Sequence, residues 1–117
     1  METPVAIPGL YTLLNNLPET GFQLGQSIQF KIECAVTDIL ASVRPEYQVE
    51  LIAIDMRTQN PQPLYCFTQS GRVETDSFSA GFEARAALGG VYRMRAIFSI
   101  KGTKYHAVAE GGTFMVY

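Results

Sequence analysis

Between Tyr92 and Ile100 the apolar residues fall on every second position: Tyr92, Met94, Ala96, Phe98 and Ile100, with Arg93, Arg95 and Ser99 on the other side. Ile28, Phe30, Ile32, Cys34 and Val36 repeat the pattern against Gln29, Lys31 and Glu33. A period of two is the period of a strand and not of a helix. Two sided ribbons of this kind hide their apolar faces only against another sheet, so the chain is constrained to a two-layer β architecture.

The closing hairpin has a readable register. Gly102-Thr103 offers a two-residue turn with glycine first, which opposes Ile100 to Tyr105, Phe98 to Ala107, Ala96 to Ala109 and Arg95 to Glu110. One face is then apolar and the other carries an opposite-charge pair. On that polar face Ile97 opposes Val108, out of pattern beside Ser99, His106, Arg95 and Glu110. Gly111-Gly112 predicts a bulge, after which Thr113 to Tyr117 continues the last strand.

At 117 residues the chain suits one domain. Its 47% hydrophobic and 17% charged residues exclude a disordered chain. A net charge of −2 and a pI near 5.3 argue against nucleic acid as the main ligand. No apolar run reaches the length of a membrane span, and the start, METPVAIPGL, has no secretion-signal pattern. The expected organisation is a loose arm over residues 1–9 and a sandwich over residues 10–117, in a cytoplasmic protein. Cys34 and Cys66 lack metal-ligand spacing and are expected as free thiols, Cys34 pointing inward as a small hydrophobe. There is no glycosylation sequon, which fits a bacterial or cytosolic origin.

Taken in order, Leu10–Leu14 is a short strand stopped by Asn15-Asn16 and Pro18, and Leu24–Ser27 turns into the Ile28–Val36 strand. Asp38 to Glu46 reads as a connection with one helical turn capped by Asp38, whose Ile39, Leu40 and Val43 should plug one end of the sandwich. Tyr47–Met56 is a strand, residues 58–63 an exposed loop, and Leu64–Thr68 an edge strand beside prolines, with a turn at Ser70-Gly71. Phe78 to Leu88 keeps a period of two, with a helical turn near Leu88 as the alternative. Seven or so strands at this spacing make a Greek-key sandwich of antiparallel strands.

The run Gly90-Val91-Tyr92-Arg93-Met94-Arg95-Ala96 resembles the penultimate strand of immunoglobulin-like sandwiches, where a tyrosine near the strand start ties its hydroxyl back to the backbone. Tyr92 matches that tyrosine. Met94 stands where the antibody type has a cysteine, and the chain has no tryptophan. The resemblance over Gln23 to Tyr117 is thus to immunoglobulin-like or fibronectin-like modules appended to larger bacterial proteins. It implies an all-β, immunoglobulin-like fold and transfers little function.

Catalysis asks for a base near a nucleophile and an orienting third group. The single histidine, His106, points outward while Cys34 points inward; Cys66 with His106 is the one thiol pair left, with no oxyanion site near it. Glu74 and Asp76 suggest at most a weak calcium loop, and the glycine pairs have turn and bulge duty. The expectation is a non-enzyme with no cofactor and no metal site.

Two binding readings remain. Arg85, Arg93, Arg95, Lys101 and Lys104 form an acid-free basic interval, read first as a solvated face. The sharper feature is apolar: if the Tyr47–Met56 strand lies beside the Tyr92–Lys101 strand, then Ile52, Ile54, Ile97 and Val108 share an outward patch rimmed by Arg95, His106, Glu50, Arg93 and Glu110. This predicts an interaction or accessory module with a protein partner or a second copy of itself. The alternative is a carbohydrate-binding module using Tyr65, Phe67, Tyr105 or Tyr11 as apolar platforms.

Overall fold

The computed structural model of the chain describes residues 4–57 and 65–117. Seven long strands, β1 (Val5–Leu14), β4 (Ser27–Val36), β5 (Glu46–Asp55), β6 (Tyr65–Arg72), β7 (Ser77–Arg85), β8 (Gly90–Ile100) and β9 (His106–Val116), are joined by two-residue strands β2 (Leu17–Pro18) and β3 (Gly21–Phe22) and by one helical turn, α1 (Asp38–Ser42). They form two sheets, of order β2-β1-β4-β7 and β3-β9-β8-β5-β6. The result is the two-sheet all-β sandwich that the alternation requires. All pairings are antiparallel except that of β3 with β9, which is parallel.

Burial follows sequence parity. Along β4 and β5 every second residue from Ile28 and from Tyr47 is buried, and along β8 every second one from Gly90. Phe30 and Phe98, from opposite sheets, are both in the core. In a chain without tryptophan the aromatic rings fill the interior: Phe30 sits 5.6–5.8 Å from Tyr65, Phe67 and Phe114, and Tyr92 stacks on Phe114 at 5.1 Å. Tyr92 donates its hydroxyl hydrogen to the Leu88 carbonyl at 2.6 Å, pinning the entry of β8 to the loop before it.

The β8–β9 register is the one read from sequence, Arg95 opposite Glu110 through Phe98 opposite Ala107. The turn differs. The Ile100 carbonyl accepts from Thr103 N–H, so Lys101 and Gly102 are its central residues, and Gly102 has the left-handed φ of 77° that the second central position demands. The register slips by one residue between Arg93 and Arg95, opposite Gly111 and Gly112, whose φ values of 111° and 70° make the bulge.

Four local expectations are corrected. Residues 1–9 do not form a loose arm from Val5 onward: Val5 is buried and pairs with Val36, and Pro8 falls in a register slip between Ala6 and Gly9, where its missing N–H leaves no gap in the ladder. Residues 1–3 lie outside the described residues, as do the expected loop at 58–63 and Leu64. Ser70-Gly71 is not a turn but strand, because Tyr47 opposite lies over Gly71 and fills the space a side chain would take. The N-cap of α1 is Thr37, whose hydroxyl accepts from Leu40 N–H at 3.4 Å, and not Asp38. Finally, of the three expected plug residues only Leu40 packs on the core, beside Ala41; Ile39 and Val43 remain 83% and 66% exposed instead of plugging the end. The Phe78–Leu88 stretch is strand to Arg85, without a helical turn at Leu88.

Candidate functional site

The outer face of the five-stranded sheet is set by its registers. Across β6, β5, β8 and β9 one row reads Thr68, Glu50, Ile97, Val108 and the next Cys66, Ile52, Arg95, Glu110. The row after that sets Ile54 beside Arg93 and Arg93 beside Thr113. The four apolar residues named from sequence therefore share one face. Ile97 and Val108 are directly opposed, and Ile52 lies on the diagonal from Ile97, within the reach of side-chain pairing. Ile54 is two residues further along β5. His106 stands opposite Ser99 at the start of β9, its Nδ1 3.1 Å from the Lys104 carbonyl, beyond the Ile97–Val108 pair. Arg95 Nε donates to Glu110 at 3.3 Å, with both side chains about half exposed.

A second apolar group extends the face and was not read from sequence. Met56, just past the end of β5, donates its N–H to the Val91 carbonyl, and Val91 is paired with Met115. All three are exposed, Met115 by 47%. Met115 points outward only because the extra residue at Gly111-Gly112 inverts the parity of β9: Phe114 and Val116 turn inward where Ala107 and Ala109 did before the bulge. The signal in the sequence is the glycine pair itself, since one extra residue there reverses which side chains of the last strand face outward.

Among the described residues no element is laid over this face: Val108 remains 45% exposed, Ile97, Ile52 and Ile54 are half-buried, α1 follows the other sheet at the sandwich end, and the N-terminal segment from Val5 is committed to β4. Its charges balance, Glu50 and Glu110 against Arg93 and Arg95.

The other sequence candidates are dispersed. Cys66 and His106 lie on strands β6 and β9, separated by β5 and β8 and so by roughly 14 Å of sheet; no thiol–imidazole pair is assembled. Cys34 is a buried free thiol, which burial pushes up to a pKa of about 12, and Cys66 is an exposed one. Glu74 faces the Arg44 guanidinium at 3.8 Å. Among the described residues no three His, Cys, Asp or Glu side chains are grouped to hold a metal, and no helix is long and apolar enough to cross a membrane. Of the platform candidates, Tyr65 is buried and Phe67 packs inward on Phe30 and Phe82, while Tyr105 and Tyr11 are exposed. Asp55, buried at the end of β5, is held below the usual carboxylate range by hydrogen bonds from Arg57, which also reaches the Gly89 carbonyl. That group closes the β7–β8 loop over Gly90 and Tyr92.

No family model matches the sequence, and no curated protein matches it. Solved structures do. The chain is similar to part of a β-glucosidase from Listeria innocua (TM-score 0.58, 10% identity, 98% of this chain and 16% of that one). It is similar to a superoxide reductase, neelaredoxin, from Ignicoccus hospitalis (0.57, 15%, 93% and 79%). A third likeness is to a CARDB domain from Pyrococcus furiosus, solved in complex with di-metal ions (0.53, 12%, 99% and 88%). The chain thus spans about one sixth of the β-glucosidase, and at these identities the likenesses show the fold alone.

Proposed function

We propose that the chain is a non-catalytic, immunoglobulin-like contact module that pairs with a second copy of itself through the outer face of the β9-β8-β5 sheet. The single observation that carries this reading is the cross-strand pair of exposed Val108 and half-buried Ile97, continued by half-buried Ile52 and Ile54 and bordered by acids and bases in balance. A two-fold interface must be self-complementary, and a face bearing Arg93 and Arg95 together with Glu50 and Glu110 meets that condition, whereas a partner of one charge sign would not be favoured by it. The tie from Tyr92 to Leu88 and the neighbouring positions of β5, β8 and β9 support the immunoglobulin-like assignment.

The size is adequate for a weak dimer. Three strand widths of about 4.8 Å and about eight residues at ~3.4 Å give roughly 400 Å² per copy, about 800 Å² in total, in the range of weak and transient interfaces. Burying about 450 Å² of apolar area contributes on the order of 11 kcal/mol, against association costs of comparable size. The expected dimer is therefore weak and concentration-dependent.

Solution mass measured by light scattering or sedimentation over micromolar to millimolar concentration tests this. The wild type should approach twice its 12.9 kDa mass, and Ile97→Asp and Val108→Lys should hold it at the monomer mass with the thermal transition intact. A wild type that stays monomeric throughout, or a dimer indifferent to both substitutions, would refute it.

A further inference from the structure

The outer face of the other sheet has a different chemistry. Tyr11, on β1, is folded back so that its ring lies over Gly9; any side chain at residue 9 would overlap that ring. The Tyr11 hydroxyl donates to Glu33 at 3.3 Å, which anchors the ring against the sheet while it remains 41% exposed. The register places Tyr11 opposite Lys31 and Lys31 opposite Gly81. Two adjoining shallow clefts of about 340 Å³ each share Lys31 and Ser79; one continues past Glu33 to Ser77, the other past Gln29 to Glu83. Each falls at the lower end of the range for small-ligand sites.

We propose that this face binds a neutral oligosaccharide, one sugar ring seated against Tyr11 and the chain running along the β4–β7 clefts. Sugar rings present an apolar C–H face and a belt of hydroxyls, which asks for a flat aromatic beside mixed donors and acceptors. Tyr11, which lines neither cleft but stands beside the Lys31 common to both, supplies the first; Lys31, Glu33, Gln29, Ser79 and Glu83 supply the second, and their two carboxylates against one ammonium disfavour an acidic sugar. Ser77 to Glu83 spans about 20 Å of strand, room for several linked rings. An extended peptide adding to the free edge of β7 is the competing occupant, but it would use backbone groups and have no need of Tyr11.

The test is calorimetric titration of the full chain with cellohexaose, xylohexaose and mannohexaose at millimolar concentration. Binding of at least one is expected. Tyr11→Ala should weaken it about tenfold. Gly81→Gln should abolish it by filling the cleft, and the strand accepts this change because a Cβ there meets nothing nearer than the Phe30 carbonyl at 3.9 Å. Ile97→Asp, on the opposite sheet, should bind as the wild type does. Silence with all three sugars overturns the proposal, as does binding unchanged in Gly81→Gln, or binding lost in Ile97→Asp alone. Should Tyr11→Ala fail to fold, Gly81→Gln decides.

Discussion

Replacing Tyr92 by phenylalanine removes one oxygen and leaves the packing in place. The ring is fully buried, stacked on Phe114 at 5.1 Å and edge-on to Tyr65 at 5.6 Å, and phenylalanine preserves both contacts. What is lost is the 2.6 Å hydrogen bond to the Leu88 carbonyl. Leu88 itself is exposed, so water can replace part of that bond, and the loss belongs near the net value of a neutral hydrogen bond, about 1–1.5 kcal/mol. The unfolding entropy of a 117-residue domain is about 0.25 kcal/mol per degree, which converts this loss to ~4–6 °C in Tm. Calorimetry at neutral pH measures it. A shift below about 1 °C would show that the tie contributes nothing net, and one far larger would show that the aromatic core had repacked. The alkaline limb gives an independent check. Burial, and then the neighbouring Tyr65, raise the Tyr92 pKa above its usual 10.0. Above pH 10 the unfolded chain sheds this proton while the folded one keeps it, so stability falls as pH rises through that window. Tyr92→Phe lacks the proton, so its deficit relative to the wild type should narrow there.

A maleimide at pH 7.5 should modify one thiol per folded chain, Cys66, and reach Cys34 only in denaturant, as mass spectrometry after brief labelling would read; modification of Cys34 in the folded state would refute its burial. Gly112→Ala should destabilise by about 1–2 kcal/mol, because φ is 70° and the new Cβ meets the Met94 methyl at 3.0 Å, while Gly81→Ala should be neutral or slightly stabilising; equal melting temperatures for the two would remove the bulge argument. Asp55 is depressed below its ordinary 3.8, first by the Arg57 side-chain hydrogen bond, so its contribution is complete above that value and is lost as pH falls through the folded pKa. Asp55→Asn should therefore be less stable near neutrality and show a flatter acid limb in melts between pH 2 and 6.

The alternation in Ile28–Val36 and Tyr92–Ile100 was enough to specify two facing sheets, and cross-strand logic alone gave the β8–β9 register, because one face had to be apolar and Arg95 needed Glu110. What escaped depends on tertiary partners. Val5 and Ile7 sit among two prolines and a glycine, which locally read as an arm; only the edge of β4 waiting beside them makes a strand. Gly71 looks like a turn residue until Tyr47 lies on it. Ile39 and Val43 look like core residues because hydrophobicity alone cannot say which side of a single helical turn meets the interior. That Ile97, Val108, Ile52 and Ile54 share one outer face was legible since Ile97 and Val108 break an otherwise polar pattern. The placement of Tyr11 was not, because its ring rests on Gly9, a residue whose purpose appears only when a ring is laid over it.

The two proposed surfaces constrain one another. They are the opposite outer faces of a sandwich whose shortest dimension is 23 Å, so neither can reach the other's ligand, and each can be altered without touching the core between them. Pairing through the β9-β8-β5 face would turn both Tyr11 faces outward, on opposite sides of the dimer. Two sites facing away from each other cannot share one short soluble sugar, and Ile97→Asp therefore leaves hexasaccharide affinity unchanged. They can cross-link separate strands of a polymer, where joining two weak sites raises the apparent affinity on the order of a hundredfold when the geometry permits both to engage. A weak dimer of shallow binding faces, as proposed, would be a coherent design: pairing would offset the weakness of each cleft, and mass action would make it depend on how densely the chains are held.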